Sequence, residues 1–107
     1  MLRILAVLFL LTGAAFAHRV TLVWNASPTT DVISYNVYRS TTPGSGYVLI
    51  GNATIETFTD SIVTNGVTYY YVVTAVDPYG ESGYSNQAAA TIPMPPKRPA
   101  NLKATLK

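Results

Sequence analysis

The chain has 107 residues, of which 49% are hydrophobic and 11% charged, with no cysteine, one histidine and a formal charge of +2. That length allows one small domain, and the composition is that of a folded protein. It excludes disulfide frameworks, thiolate chemistry and cysteine-based zinc sites, and His18 alone cannot supply a centre built on several imidazoles. The charge is too weak to imply nucleic acid as a partner.

Residues 1–17, MLRILAVLFLLTGAAFA, read as a signal peptide. Arg3 is the positive end, Ile4 to Leu11 is an unbroken apolar run, and Ala15-Phe16-Ala17 has small-x-small spacing. The run falls short of the ~20 residues of a membrane span and no stop-transfer pattern follows, so no stable membrane insertion is expected after cleavage near Ala17. The expected location is secreted, periplasmic or at the cell surface. Without the leader the charge is uneven. From His18 to Pro96, Arg19 and Arg39 face five acids for a net −3, whereas Lys97, Arg98, Lys103 and Lys107 give the C-terminal segment +4.

Alternation of apolar and polar residues predicts short strands in chain order. Val20–Trp24 turns Val20, Leu22 and Trp24 to one side. After a polar turn holding Pro28, Ile33–Arg39 places Ile33, Tyr35 and Val37 on an inner face. A loop with Pro43, Gly44 and Gly46 leads to Tyr47–Ile50, and Thr54–Asp60 follows around Ile55 and Phe58. Asn65-Gly66 marks a tight turn before the longest run, Thr68–Val76, whose two faces are both rich in β-formers and belong near the middle of a sheet. A turn with Pro78, Gly80 and Gly83 precedes a last strand within Tyr84–Ile92. No stretch after the leader carries a helical apolar repeat. Six short strands with regular turns predict an all-β, antiparallel sandwich.

These landmarks resemble a fibronectin type III domain, an immunoglobulin-like β-sandwich. Leu22-Val23-Trp24 is similar to the family's second strand, Tyr35-Asn36-Val37-Tyr38 to its third, and Ile62, Gly66 and Tyr69 to the turn before its sixth. The resemblance implies that Tyr69 is a "tyrosine corner" whose hydroxyl bonds back to that turn. It implies a core of Leu22, Trp24, Tyr35, Val37, Tyr69, Tyr71 and Val73. Gly80-Glu81-Ser82 with Tyr84-Ser85-Asn86 resembles the end of many bacterial members. The resemblance covers residues 18–93. Two departures stand out. The loop Asp77–Gly83 has no Arg-Gly-Asp triplet, and cleavage after Ala17 leaves only two residues before Val20, so the family's first strand is missing.

A similar strand lies at the other end. Residues 94–107 form a proline-led basic tail resembling the opening of a following module, with Leu102, Ala104 and Leu106 alternating with Lys103 and Thr105. The prolines from Pro93 to Pro99 make a stiff spacer of about 20 Å. The tail is free or part of a truncated module, folded back onto the vacant edge, or donated into a neighbouring sheet by strand addition.

No catalytic, cofactor or metal site is expected. His18 lacks the second histidine of a copper brace, and the serines and threonines lack a histidine partner for a triad beyond that terminal residue. Asp31, Glu56, Asp60, Asp77 and Glu81 are scattered over turns and strand ends, without glycosidase pairing or calcium-loop spacing. Gly44-Ser45-Gly46 lacks the lysine and helix of a phosphate loop. Asn25-Ala-Ser27 and Asn52-Ala-Thr54 match glycosylation acceptors. Tyr38, Tyr47, Tyr70, Tyr79 and Tyr84 remain as an exposed aromatic set for a protein or sugar contact. The expected function is a secreted, non-enzymatic interaction or spacer module, with self-assembly by donation of residues 100–106 into a neighbouring sheet as one of the three outcomes for the tail. The alternative is a carbohydrate-binding or adhesion module using the surface tyrosines.

Overall fold

A computed structural model of the chain describes the backbone of residues 4–12 and 17–107, and side chains from His18 onward. The described strands are β1 (Ile4–Thr12), β2 (Ala17–Trp24), β3 (Ser34–Ser40), β4 (Val48–Ala53), β5 (Thr57–Asp60), β6 (Thr68–Asp77), β7 (Gly80–Glu81) and β8 (Ala88–Thr91). One sheet has the order β1-β2-β5 and the other β4-β3-β6-β7, with β8 also pairing β6; every pairing is antiparallel. The result is an open two-sheet sandwich.

Its core lies between the two sheets. Val20, Leu22 and Trp24 of β2 meet Tyr35 and Val37 of β3 and Tyr69, Tyr71, Val73 and Ala75 of β6, closed by Ala90 and Ile92. Trp24 lies edge-on to Tyr35, 5.5 Å between ring centroids, a favourable aromatic geometry. Phe58 packs over β4 at Gly51, where any side chain would overlap its ring. β6 lies inside its sheet, with β3 along one edge and β7 and β8 sharing the other.

Two ties hold the sandwich at the end where β6 begins. The Tyr69 hydroxyl accepts from the Thr64 backbone N–H at 2.9 Å, the corner bond that the resemblance implies. Asp60 of β5, 4% exposed, accepts from Arg39 Nη1 of β3 (2.9 Å) and from the Tyr71 hydroxyl of β6 (2.8 Å), joining the two sheets. The guanidinium also lies over the Tyr69 ring, 5.1 Å from its centroid. Burial, and then the hydrogen bond to Asp60, push the Tyr71 hydroxyl well above its ordinary value, so it remains the donor.

Several elements differ from the sequence reading. Ile33 is not on the inner face; it is 61% exposed, because β3 begins at Ser34 and Ile33 reaches the sheet only by donating its N–H to the Val76 carbonyl. The strand expected over Tyr47–Ile50 extends to Ala53, and Thr54–Asp60 contracts to Thr57–Asp60 with Ile55 turned out. The last strand, expected within Tyr84–Ile92, contracts to β8, and the turn expected before it carries β7. Between them, Ser82 and Ser85 take over the ladder: their hydroxyls accept from the Ala75 and Val73 N–H groups, while their own N–H groups donate to the Ala75 and Val73 carbonyls, all at 2.8–2.9 Å. Segment 82–87 thus stays bonded to β6 without strand geometry.

The place before β2, which the sequence reading leaves empty once residues 1–17 are removed, is held in the full chain by Ile4–Thr12 of the expected leader. Val7 stands opposite Leu22, Phe9 opposite Val20 and Leu11 opposite His18. An apolar run beside unpaired strand-edge groups finds partners there. Residues 1–3 and 13–16 of the expected leader lie outside the described residues.

Candidate interaction surface

The outward face of the larger sheet carries most of the chemistry. In register across β4, β3 and β6 run Asn52–Asn36–Thr74 and, next to it, Leu49–Tyr38–Val72. Tyr84, carried by the 82–87 segment, packs edge-on against Tyr38 and Tyr47, with centroids 5.4 and 5.1 Å away. The Tyr47 hydroxyl donates to Gln87, whose same oxygen accepts from the Gly44 N–H at 2.8 Å and pins the β3–β4 loop. Three of the five candidate tyrosines, Tyr38, Tyr47 and Tyr84, therefore form one cluster, with Tyr84 55% exposed at its centre.

Glu81 organises the neighbouring part of the face. Its Oε2 accepts from the Asn36 amide (3.1 Å), the Tyr38 hydroxyl and the Thr74 hydroxyl. These donors hold the carboxyl below its ordinary range, and the same bond to Glu81 raises the Tyr38 hydroxyl. In the sequence Glu81 is one of five scattered acids and lies in an expected turn; that turn hides the signal, since only the short β7 brings Glu81 beside Val76.

The remaining candidates are elsewhere. Tyr70 is half-buried on β6 between Ser40 and Ala89. Tyr79 stands 94% exposed at the tip of the β6–β7 hairpin, where Asp77 accepts from the Tyr79 and Gly80 N–H groups at 2.8 and 3.0 Å. This hairpin and the β2–β3 loop enclose a cleft of about 320 Å³, lined by Ser27 and Thr29 on one side and Asp77, Tyr79 and Glu81 on the other. No basic residue lines it. A second hollow of about 210 Å³, also touching Glu81, continues to Tyr38 and Tyr84.

The tail leaves from the opposite end. Thr91 of β8 pairs with Thr68, the first residue of β6, whereas Glu81 pairs with Val76 near its last. Met94 lies against Gly66 of the Asn65-Gly66 turn, where φ is +83° and a side chain would collide with Met94. Residues 93–107 are all exposed and form no strand, with Leu102 at 96% and Leu106 at 98% and Ala104 exposed between them. In the full chain, where β1 lies beside β2, the tail forms no strand with its own domain. The chain measures 78 Å on its longest axis against 26 and 18 Å on the others.

Among the described residues no three or more His, Cys, Asp or Glu side chains gather as a metal site, and no helix is long and apolar enough to cross a membrane. The fold is of the non-catalytic, immunoglobulin-like type.

No protein-family model matches the sequence. An amylopullulanase of Thermoanaerobacter thermohydrosulfuricus is 49% identical over 74 residues, which are 67% of this chain and 5% of that protein. A poly(3-hydroxybutyrate) depolymerase of Ralstonia pickettii is 47% identical over 73 residues, 13% of its length. This chain thus spans only a small fraction of these curated relatives. The crystal structure of an Fn3-like protein from Clostridium thermocellum is 34% identical, with a TM-score of 0.68, covering 88% of this chain and 95% of that one. With that likeness running over nearly the whole of the Fn3-like chain, this chain belongs to the fibronectin type III-like family.

Proposed function

We propose that this chain is an exported, non-catalytic contact and spacing module that joins to a neighbouring copy through its tail. Residues 1–17 act as a leader removed near Ala17, which opens the edge of β2, and residues 100–106 of a neighbour are donated there. The observation that carries this reading is the tail itself: an alternating apolar segment, exposed throughout, that leaves its own domain with no strand partner. An open edge and an unpaired strand of the right pattern are the two halves of β-strand addition. The long relatives support a spacer role beside other domains, since each contains a match to this module within a small part of its length.

The test is to produce the full chain with its leader in an exporting host, read its N-terminus by mass spectrometry, and compare its mass by light scattering with that of a variant lacking residues 97–107. A concentration-dependent oligomer that becomes a monomer on deletion is expected. A monomer in both cases rejects tail-mediated joining.

A second reading, sugar attachment, has support in the Tyr38–Tyr84–Tyr47 cluster, a rigid aromatic platform beside hydrogen-bonding Asn36, Asn52 and Glu81. Pull-down on insoluble glycans, with Tyr84→Ala as control, decides it; absence of binding by the parent protein removes it.

A further inference from the structure

We infer that the cleft between the β2–β3 loop and the β6–β7 hairpin is a docking site for Lys97 and Arg98 of a second copy of this chain, a clamp that sets the register and direction of tail donation. The inference rests on the donation reading above and adds the surface that receives the tail.

Register carries the first part of the argument. In the full chain β1 runs along β2 with Val7, Phe9 and Leu11 opposite Leu22, Val20 and His18. A donated tail offers apolar residues at the same spacing of two in Leu102, Ala104 and Leu106. Laying Leu102 opposite Leu22 puts Ala104 opposite Val20 and Leu106 opposite His18. Continued backwards through the irregularity that β1 shows between Ala6 and Ile4, the same register brings Pro99 level with Trp24, Arg98 with Asn25 and Lys97 with Ala26, just past the end of β2 and next to Ser27. Ser27 is one wall of the cleft, and Asp77, Tyr79 and Glu81 are the other.

Chemistry carries the second part. The site presents the carboxylates of Asp77 and Glu81 with no cation beside them. Each is fixed by its own chain through one oxygen: Asp77 Oδ1 caps the hairpin and Glu81 Oε2 takes three donors. The hydrogen bonds described above use neither Asp77 Oδ2 nor Glu81 Oε1. Tyr79, 94% exposed on the rim, offers a ring to a guanidinium or to the flanking prolines. The occupant has the opposite character: Lys97 and Arg98 between Pro96 and Pro99, held extended at little entropic cost. A body of charge −3 and a tail of charge +4 attract one another.

The two features also lie at opposite ends of β6, a strand of about 30 Å. A tail therefore meets a neighbour's cleft head to tail, and such a contact propagates as an open chain unless its rotation closes a ring.

The experiment uses the exported protein, with thermal melts to verify folding and sedimentation at 0.05 and 0.5 M salt to measure association. The Lys97→Glu, Arg98→Glu double variant is expected to weaken association about tenfold at low salt, and Asp77→Asn, which keeps an oxygen to cap the hairpin, by a smaller factor. Combining Asp77→Arg with Arg98→Asp is expected to restore association relative to either change alone. If Leu102→Asp abolishes the oligomer while the charge reversal leaves it unchanged, donation stands and the clamp is overturned. Reversal that weakens association without rescue by the swap also overturns the clamp. If the exported protein retains residues 4–12, or deletion of residues 97–107 leaves its mass per particle unchanged, donation falls and the clamp with it.

Discussion

Two tyrosine–carboxylate pairs lie in this small sandwich, and they are put to opposite uses. Tyr71 donates to Asp60 deep between the sheets, with Arg39 completing the group. Tyr38 donates to Glu81 on the outward face, with Asn36 and Thr74 beside it. The bonding is alike; the surroundings are not. Around Asp60, 4% exposed, water cannot replace a lost partner, so each bond bears on stability. Around the exposed Glu81, water replaces what is lost, and the bonds serve to hold a charge and an aromatic cluster in place.

The largest effect expected from breaking this comparison is Asp60→Ala. It leaves Arg39 and Tyr71 without their acceptor and should cost about 3 kcal/mol in denaturant unfolding. Tyr69→Phe comes next, at about 1 kcal/mol, since the Thr64 N–H loses its acceptor while Arg39 keeps a ring to lie over. Tyr71→Phe should cost a similar ~1 kcal/mol near neutrality, because Asp60 retains Arg39. Its pH signature separates it from Tyr69→Phe. The Tyr71 hydroxyl is raised above its ordinary value of 10.0, so its stabilisation is complete below pH 10 and is lost as pH rises above that point. The phenylalanine variant should unfold with a flatter alkaline slope than the parent.

Glu81→Gln should be smallest. At pH 7 it should lower the melting temperature less than either tyrosine variant does, since water replaces what is lost. Because the Glu81 carboxyl is held below its ordinary 4.5, its contribution is present above that pH and is lost as pH falls through the lowered value. The variant should therefore lose part of the acid-side slope. An equal loss of stability from Asp60→Ala and Glu81→Gln at neutral pH would erase the distinction between the two sites.

The buried pair and the surface pair were not equally legible. Leu22 and Trp24, and Tyr35 and Val37, recur at a period of two that places each pair on one face, whereas both faces of Thr68–Val76 are rich in β-formers and only the family resemblance marks Tyr69, Tyr71 and Val73 as inward. Asp60 gave no such signal. A lone acid at a strand end reads as solvated, and only pairing of β2 with β5 across from β3 and β6 brings Arg39 and Tyr71 to it. The surface cluster was half legible. Tyr38, Tyr47 and Tyr84 stand out by type, but their meeting depends on segment 82–87, which has no strand geometry although a strand is expected from Tyr84. Tyr70 and Tyr79 have the same composition signal and lie apart from the cluster. Ile33 misled for a related reason: alternation fits it to the inner face, yet the strand starts one residue later.

The serine relay along β6 has a consequence for how this face can vary. With the Ser82 and Ser85 hydroxyls accepting in place of backbone carbonyls, the two residues between them, Gly83 and Tyr84, contribute nothing to the ladder's accounting of N–H groups at Ala75 and Val73. The sheet's integrity and the identity of the residue displayed at its centre are therefore inherited separately. Evolution or an engineer can exchange Tyr84 for another side chain, retuning what the face touches, while the two hydroxyls keep the underlying strand intact.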